Sequence, residues 1–254
     1  MAFNPFKEAI AGRQAWFGFW SSLPYSLTAE IISLSDFDFV LLDMEHAPNT
    51  VPTLIEQLHA LKGTRIQPVV RVPDHDPRHL NQVMDIGFRT IVVPKVQDAD
   101  EARRLVDAMR YPPRGTRGMS RYHRNNRFGT DTDYFSQVDD GLCLLCQIET
   151  PEAINRIADI AAVPGVDGLL VGPGDLAASL GCLHDPSNKL VQDATARAAS
   201  EAARAGKPIG IVAGDPEQAL RLRALGYGFM TVGADIPVFK KAIDDIARRM
   251  RAAA

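Results

Sequence analysis

Short segments that are almost continuously apolar recur along the chain, and longer segments with apolar residues at helical spacing lie between them. Continuous apolar runs are typical of strands that are buried on both faces, as in parallel sheets. The runs predict eight strands, at residues 16–20, 39–42, 68–72, 90–93, 142–148, 168–171, 208–212 and 229–232.

The intervening segments predict helices. Asp76-Pro77 and Asp215-Pro216 each place a capping carboxylate before a proline at the first helical position. Several segments end at a glycine, such as Gly63 and Gly206, where a left-handed residue ends a helix at little cost. The predicted helices are residues 53–62, 78–85, 99–109, 151–161, 188–205 and 217–224.

Strands that alternate with helices through 254 residues have the rhythm of a (β/α)8 TIM barrel, an α/β fold. An open doubly wound sheet is the alternative, but no G-x-G-x-x-G motif follows an early strand. No shift in composition indicates a linker, so we predict one barrel domain over residues 1–254. Ile243, Ile246 and Met250 stand at helical spacing in the tail, and this stripe either closes the barrel or reaches another subunit.

Composition and charge narrow the function classes. The chain is 46% hydrophobic and 23% charged, as globular proteins are, and its net charge of -3 gives no overall basic surface for nucleic acid. No apolar run approaches the roughly 20 residues that span a membrane. The first residues include Lys7, Glu8 and Arg13 and no long apolar stretch, so no secretory signal is expected and we predict a cytoplasmic location.

Three cysteines cannot form a disulfide framework. Cys143 and Cys146 have the spacing of a redox motif but lie in an apolar strand segment. Positions three apart on a strand point to opposite faces, so we expect two buried thiols that do not meet.

The segment 38–49 carries the first candidate site. Asp43, Glu45 and His46 directly follow a buried strand, and active sites of β/α barrels lie at the carboxyl ends of strands. Two carboxylates and an imidazole there indicate an active site. The alternative is that the carboxylates cap the next helix and His46 is a surface residue.

Other strands also end in polar residues, which are costly beside a buried strand unless paired or used. Arg71 ends the third strand, where it could stabilise a developing oxyanion or form a salt bridge to Glu45 or Asp43. Gln147 is flush with the fifth strand. Lys95 follows the fourth, and both a Schiff-base lysine and a solvated rim lysine remain open.

Glu149 and Asp175 follow neighbouring strands and are predicted to face each other at the barrel mouth. Two carboxylates suit a hard divalent cation that keeps several waters, although both residues could instead be helix N-caps. Gly172, Pro173 and Gly174 precede Asp175, and their backbone either binds a carboxylate or phosphate or forms a plain turn.

Two further segments carry candidate chemistry. Asp74, His75, Asp76 and His79 are types that bind metals, but Asp76 is already explained as a helix cap. The basic tract 110–127 is better explained as a loop over an anionic substrate, or as a subunit contact, than as a nucleic-acid surface.

Five ordered motifs make the chain resemble the HpcH/HpaI aldolases, metal-dependent class II pyruvate aldolases that include 4-hydroxy-2-oxoheptanedioate aldolase. They are D-F-V-L-L-D-M-E-H-A-P-N (38–49), V-V-R-V-P (69–73), R-Y-P-P-R-G-T-R-G (110–118), Q-I-E-T (147–150) and G-V-D-G-L-L-V-G-P-G-D-L (165–176). The resemblance implies reversible retro-aldol cleavage of 4-hydroxy-2-oxoacids to pyruvate or hydroxypyruvate and an aldehyde, through a metal-held enolate, and a role in aromatic compound catabolism.

The resemblance also implies residue roles. Mg²⁺, Mn²⁺ or Co²⁺ would be held by Glu149 and Asp175, with Arg71 at the enolate oxygen. His46 would be the base and Asp85 would raise its basicity. The remaining implied residues are the substrate-binding Gln147, Gly172, Pro173, Gly174 and Asp175 and the supporting Asp43 and Glu45. Members of the family form homotrimers or homohexamers, so the tail helix could be exchanged between subunits.

The sequence departs from the family pattern at Asp36 and Ala47, where glycines are expected, at Lys95, where methionine is expected, and at Gly174, where alanine or serine is usual. The last two border the site and leave the donor and acceptor open. Three alternatives are a Schiff-base aldolase using Lys95, an acyl-CoA thioester lyase of the same superfamily, and a barrel that only senses a 2-oxoacid.

Overall fold

Eight parallel strands form a closed barrel in a computed structural model that describes residues 4–185 and 187–253. Each strand pairs with its neighbours in the chain, and the last pairs with the first. The strands are β1 (Trp16–Ser21), β2 (Phe39–Asp43), β3 (Gln67–Arg71), β4 (Thr90–Val93), β5 (Cys143–Ile148), β6 (Val166–Val171), β7 (Ile209–Ala213) and β8 (Phe229–Ala234). The predicted single-domain TIM barrel is confirmed.

Helices surround the barrel. A 3₁₀ helix, Arg124–Gly129, precedes α6. The α-helices are α1 (Pro5–Ala11), α2 (Ser26–Ser33), α3 (Val51–Ala60), α4 (Pro77–Ile86), α5 (Ala99–Met109), α6 (Tyr134–Gly141), α7 (Pro151–Asn155), α8 (Ile157–Ala162), α9 (Pro173–Ser179), α10 (Lys189–Arg204), α11 (Pro216–Ala224) and α12 (Asp235–Ala252).

The predicted elements are all present, with differences at their edges. The strand predicted at 168–171 starts earlier, at Val166. The helix predicted at 151–161 is two helices, because Arg156 leaves the helical conformation with φ -107° and ψ 10°. Asp76 and Asp215 cap α4 and α11 as expected, by accepting hydrogen bonds from backbone N–H groups. The short helices α1, α2 and α6 were not predicted, because each spans only seven or eight residues, too few to show a helical period.

Apolar side chains form two layers. The inner layer fills the barrel, and α1 closes its amino-terminal end with Phe6, whose ring contacts those of Trp16, Phe39 and Phe229 at 5.7, 5.2 and 5.3 Å. The outer layer joins the strands to the helices. A packed interior leaves the carboxyl ends of the strands as the place for polar groups.

The two strand cysteines lie on opposite faces of β5. Cys143 belongs to the inner layer and Cys146 to the outer layer, and both are free thiols. Burial raises the pKa of the Cys146 thiol to about 12 and that of Cys143 well above its usual range. The prediction of two buried thiols that do not meet is confirmed.

The helix α12 contacts β1 and β8 but leaves an apolar stripe in solvent. Phe239, Ile243, Ile246 and Met250 are 63%, 47%, 65% and 66% exposed, so the stripe does not close this barrel. A groove of about 510 Å³ between α12 and α2 is almost entirely apolar. Among the described residues, no helix is both long enough and apolar enough to cross a membrane.

Candidate active site

Adjacent strands place Asp43 and Arg71 opposite each other at the barrel mouth. Both are buried, and Arg71 donates from Nε to Asp43 Oδ1 at 2.7 Å and from Nη2 to Oδ2 at 2.8 Å. The guanidinium also lies over the Trp20 ring, 4.6 Å from its centroid. This bidentate, stacked arrangement fixes the orientation of the Arg71 charge.

Glu45 links three cationic or titratable side chains. Its Oε2 forms an ion pair with Arg71 Nη1 at 2.8 Å, without hydrogen-bond geometry. Its Oε1 lies 3.3 Å from Lys95 Nζ and 3.7 Å from His46 Nε2. Arg71 therefore pairs with both carboxylates of the segment, and the carboxylates do not cap α3, whose cap is Thr50.

Backbone turns hold His46 at the mouth. Glu45 N–H donates to Asp43 Oδ1 at 3.0 Å, which tightens the turn after β2. Asn49 Nδ2 donates to the Asp43 carbonyl at 2.7 Å, and Gln57 Nε2 donates to Asn49 Oδ1 at 2.6 Å. The His46 imidazole is left 59% exposed beside Glu45, where it can meet a substrate.

Glu149 is buried after β5. Its Oε1 accepts from Gln147 Nε2 at 2.6 Å and its Oε2 accepts from the Lys95 amide at 3.0 Å. Burial, followed by the nearby charge of Asp175, raises the pKa of Glu149 to about 7, although the Lys95 hydrogen bond opposes the change. The charge of Asp175 therefore acts on the buried Glu149 at the barrel mouth.

Gly172 and Gly174 differ in how much space surrounds their α-carbons. A side-chain carbon on Gly172 would lie 2.2 Å from Glu149 Oε1, so only glycine leaves space for that carboxylate. The same carbon on Gly174 would meet nothing within 4 Å. Gly172, Pro173, Gly174 and Asp175 thus form an open edge beside Glu149, at the start of α9.

Glu149 and Asp175 suit a divalent cation. The ionised form of Glu149 is penalised by burial and by a second carboxylate, and a cation would relieve both effects. Gln147 Oε1 is also buried without a hydrogen-bond partner beside them. No group of three or more His, Cys, Asp or Glu side chains suitable for a metal occurs among the described residues. Two carboxylates leave the remaining positions to water and substrate, as Mg²⁺-type sites do.

Lys95 contacts the site with both its backbone amide, which bonds Glu149, and its side chain, which pairs with Glu45. Its φ is 56°, in the left-handed region, and its amide donates to Glu149. The hydrogen bond from the Lys95 ammonium group to Glu45 makes the largest contribution to raising the pKa of Lys95. A Schiff-base lysine needs a lowered pKa, so this environment opposes that alternative.

Asp85 is not brought to His46 within one chain. It lies in the last turn of α4, which runs from the carboxyl end of β3 back to the amino end of β4, so Asp85 is at the opposite end of the barrel. There its Oδ1 accepts from Arg117 Nη2 at 2.7 Å. Within one chain α4 separates Asp85 from His46 by the height of the barrel, so the implied effect of Asp85 on His46 stays a prediction.

The other candidate segments carry local interactions. His79 Nδ1 pairs with Asp74 at 2.8 Å and Asp76 caps α4, which leaves that cluster no metal site. In the basic tract, Arg117 is buried against the Tyr111 ring, with 4.5 Å from its guanidinium carbon to the centroid.

Three residues of the mouth were missed by the sequence reasoning. Trp20 stacks on Arg71, and Asn49 fastens the turn that carries His46. Asp235 is buried after β8 and accepts from Ser21 Oγ and Leu23 N–H, both at 2.9 Å, which holds the loop after β1. Their position at or just after strand ends was the available signal, but it did not reveal which side chains they hold.

Comparisons with known proteins show the family of the chain. The HpcH/HpaI aldolase/citrate lyase family matches residues 16–242. A 5-keto-4-deoxy-D-glucarate aldolase from Shigella dysenteriae serotype 1 is 44% identical over 244 residues, 96% of this chain and 95% of the relative. The crystal structure of a family protein from Burkholderia cenocepacia J2315 superposes with a TM-score of 0.94 and 35% identity, covering 98% of this chain and 100% of that one. The citrate synthase SbnG superposes with a TM-score of 0.85 and 26% identity, covering 97% and 98%.

Proposed function

Because the chain belongs to the HpcH/HpaI aldolase/citrate lyase family, we propose that it cleaves 4-hydroxy-2-oxoacids reversibly into pyruvate or hydroxypyruvate and an aldehyde. Family and relatives make it a carbon–carbon lyase of the class II aldolase kind, and the resemblance of its motifs is confirmed. The observation that carries the substrate proposal is the buried Glu149, held by Gln147 and the Lys95 amide within electrostatic reach of Asp175 and of the fixed charge of Arg71.

Glu149 and Asp175 would hold the metal. When bound, Mg²⁺, Mn²⁺ or Co²⁺ supplies a Lewis acid that stabilises negative charge on the keto oxygen of the substrate. Gln147 and the edge from Gly172 to Asp175 bind the oxoacid end. Gln147 donates to Glu149, and its Oε1 is buried without a hydrogen-bond partner.

Arg71 stabilises the oxyanion of the enolate. A guanidinium has five N–H donors, and Asp43 and Glu45 engage Nε, Nη2 and Nη1. Each Nη carries a second hydrogen, so Arg71 retains donors for a substrate oxygen. Asp43 and Glu45 support the charge by fixing its position, and a preorganised charge needs no reorganisation during the reaction.

His46 moves the proton. In the cleavage direction its imidazole accepts the proton of the 4-hydroxyl group as the C3–C4 bond breaks, the aldehyde leaves, and the bonding electrons form the enolate. Return of a proton to C3 gives pyruvate. The exposed imidazole next to Glu45 suits this role, because the carboxylate stabilises the imidazolium once it forms.

A role for Asp85 at His46 would require a second copy of the chain, because the two residues lie at opposite ends of one barrel. We therefore retain a homotrimer or homohexamer as the proposed assembly, with the exposed stripe of α12 as a contact surface, whether or not the helix is exchanged. The cytoplasmic location and a role in aromatic compound catabolism stay predictions.

The test is a donor-by-aldehyde screen. Purified protein treated with EDTA should neither release pyruvate from 4-hydroxy-2-oxoacids nor form them, and Mn²⁺ or Mg²⁺ should restore both. Activity indifferent to EDTA would contradict the proposal. Borohydride added with pyruvate should leave the mass of Lys95 peptides unchanged, whereas a pyruvyl adduct would establish the Schiff-base alternative.

A further inference from the structure

Lys95 lies at the barrel mouth, where its ammonium group forms an ion pair with Glu45 and remains half exposed to solvent. We propose that its ammonium group binds the terminal carboxylate of the substrate, at the end remote from the 2-oxoacid, and makes the enzyme prefer acceptor aldehydes that carry an acid group. This inference rests on the aldolase function proposed above and assigns a specificity-determining residue to it.

Arg71 and Lys95, the two cationic side chains of this site, differ in how many of their donors are already paired with carboxylates. Arg71 is buried and held by Asp43 and Glu45 through three of its nitrogens. Lys95 has one ion pair, 3.3 Å from Nζ to Glu45 Oε1, and its side chain is 53% exposed. An ammonium group has three donors, so Lys95 can keep Glu45 and still receive a carboxylate from solvent.

Backbone hydrogen bonds fix the position of the Lys95 α-carbon beside Glu149. Its amide donates to Glu149 Oε2 at 3.0 Å, and the next residue, Val96, donates to the Gln147 carbonyl at 3.1 Å. The left-handed φ of 56° is a strained conformation for an L residue, and it accompanies these bonds. The Lys95 side chain therefore runs from the carboxylate that would hold the 2-oxoacid end to Glu45, on the side of His46.

Charge makes this position selective. An acid group on the substrate meets several carboxylates at the mouth. Arg71 is already engaged by two of them and the metal would be held by the other two, so loss of Lys95 removes the positive charge that is not already committed. A carboxylate is then opposed by like charges, whereas an uncharged amide of the same shape is not. The residues that supply the negative charge are Asp43, Glu45, Glu149 and Asp175.

The experiment compares 4-oxobutanoate with its amide, 4-oxobutanamide, as acceptors for pyruvate at saturating Mn²⁺. The measured quantity is the ratio of kcat/KM for the acid to kcat/KM for the amide. In Lys95→Met we expect this ratio to fall roughly tenfold or more, chiefly through KM of the acid, since charged hydrogen bonds contribute about 1.5–3 kcal/mol. Lys95→Arg should restore most of the ratio. Lys62→Met removes an equal charge at the other end of the barrel and should keep the wild-type ratio.

An equal loss for both aldehydes, or an unchanged ratio in Lys95→Met, would overturn the proposal. A binding measurement separates its failure from that of the aldolase function. Titration calorimetry with Mn²⁺ compares 2-oxoheptanedioate with 2-oxoheptanoate, which lacks only the terminal carboxylate. If wild-type protein turns over no aldehyde, the aldolase function fails. Tighter binding of the diacid that Lys95→Met abolishes would still support Lys95, and equal binding of both acids would refute it.

Discussion

Arg71 and Asp43 form a buried bidentate pair, 2.7 and 2.8 Å long, between the carboxyl ends of two adjacent strands. In Asp43→Asn, Arg71 keeps its charge in a buried place without its main partner. We expect a loss of about 3 kcal/mol in the free energy of unfolding and a large loss of turnover, measured by urea denaturation and pyruvate release. The exposed pair of Lys189 and Asp193 is the control, because Asp193→Asn should cost less than about 0.5 kcal/mol. Similar costs for both variants would show that the buried pair is not structural.

The pKa of Glu149 predicts the pH dependence of the metal-free protein. This pKa rises from 4.5 in the unfolded chain to about 7 in the fold, so the folded state holds the proton more tightly. The free energy of unfolding should therefore fall by about 3 kcal/mol as pH rises from below 4.5 to above 7, at 1.36 kcal/mol per pKa unit. Metal-free Glu149→Gln should lack this component in urea denaturation from pH 4 to 8.

The same carboxylate predicts how metal affinity depends on pH. Protonated Glu149 cannot bind a cation, so Mn²⁺ affinity of the wild type should weaken as pH falls below about 7. Glu149→Gln should bind Mn²⁺ poorly throughout. Strong, pH-independent Mn²⁺ binding by the variant, measured by calorimetry, would remove Glu149 from the metal site.

His46→Ala tests the assignment of proton transfer. We expect kcat to fall about 100- to 10,000-fold, the usual contribution of a general base, while the Kd for Mn²⁺ stays close to that of the wild type. His59→Ala is the matched control, because His59 is exposed in the last turn of α3, at the opposite end of the barrel, and its loss should keep full turnover. A loss of Mn²⁺ binding in His46→Ala would instead make His46 a metal ligand.

Gly172 and Gly174 offer a paired test of the space beside Glu149. Gly172→Ala places a carbon 2.2 Å from Glu149 Oε1 and should weaken Mn²⁺ binding at least about tenfold, by displacing a ligand. Gly174→Ala meets no atom within 4 Å and should keep the Tm and the Kd for Mn²⁺. Equal Mn²⁺ affinities in the two variants would contradict the position assigned to the metal.

The apolar stripe of α12 predicts an oligomer. Side chains such as Phe239 and Ile246 are more than half exposed in a single chain, and a second copy would bury them. Light scattering should show a trimer or hexamer for the wild type and smaller species for Phe239→Asp with Ile246→Asp. Lys241→Asp, on the same helix but outside the stripe, should keep the wild-type mass. A monomeric wild type would remove this surface from the assembly.

The order of the strands was predictable because a parallel barrel requires a regular series of apolar segments that alternate with helical segments in the sequence. Most of the strands are buried on both faces and therefore almost continuously apolar, and most polar residues lie near the ends of strands. Arg71, Gln147 and Glu149 were recognisable for that reason. Short helices such as α2, with eight residues, span too few positions to show a helical period of apolar residues.

Sequence alone determined the barrel, the family motifs and the set of charged residues at the strand ends. Only the tertiary structure decided their partners, because pairing depends on register and distance between segments far apart in the chain. It tied the cluster that follows β2 to Arg71, with Asp43 and Glu45 as supports. It placed Lys95 against Glu45 and Glu149 and moved Asp85 to the far end of the barrel, since a helix carries the chain back along its whole height.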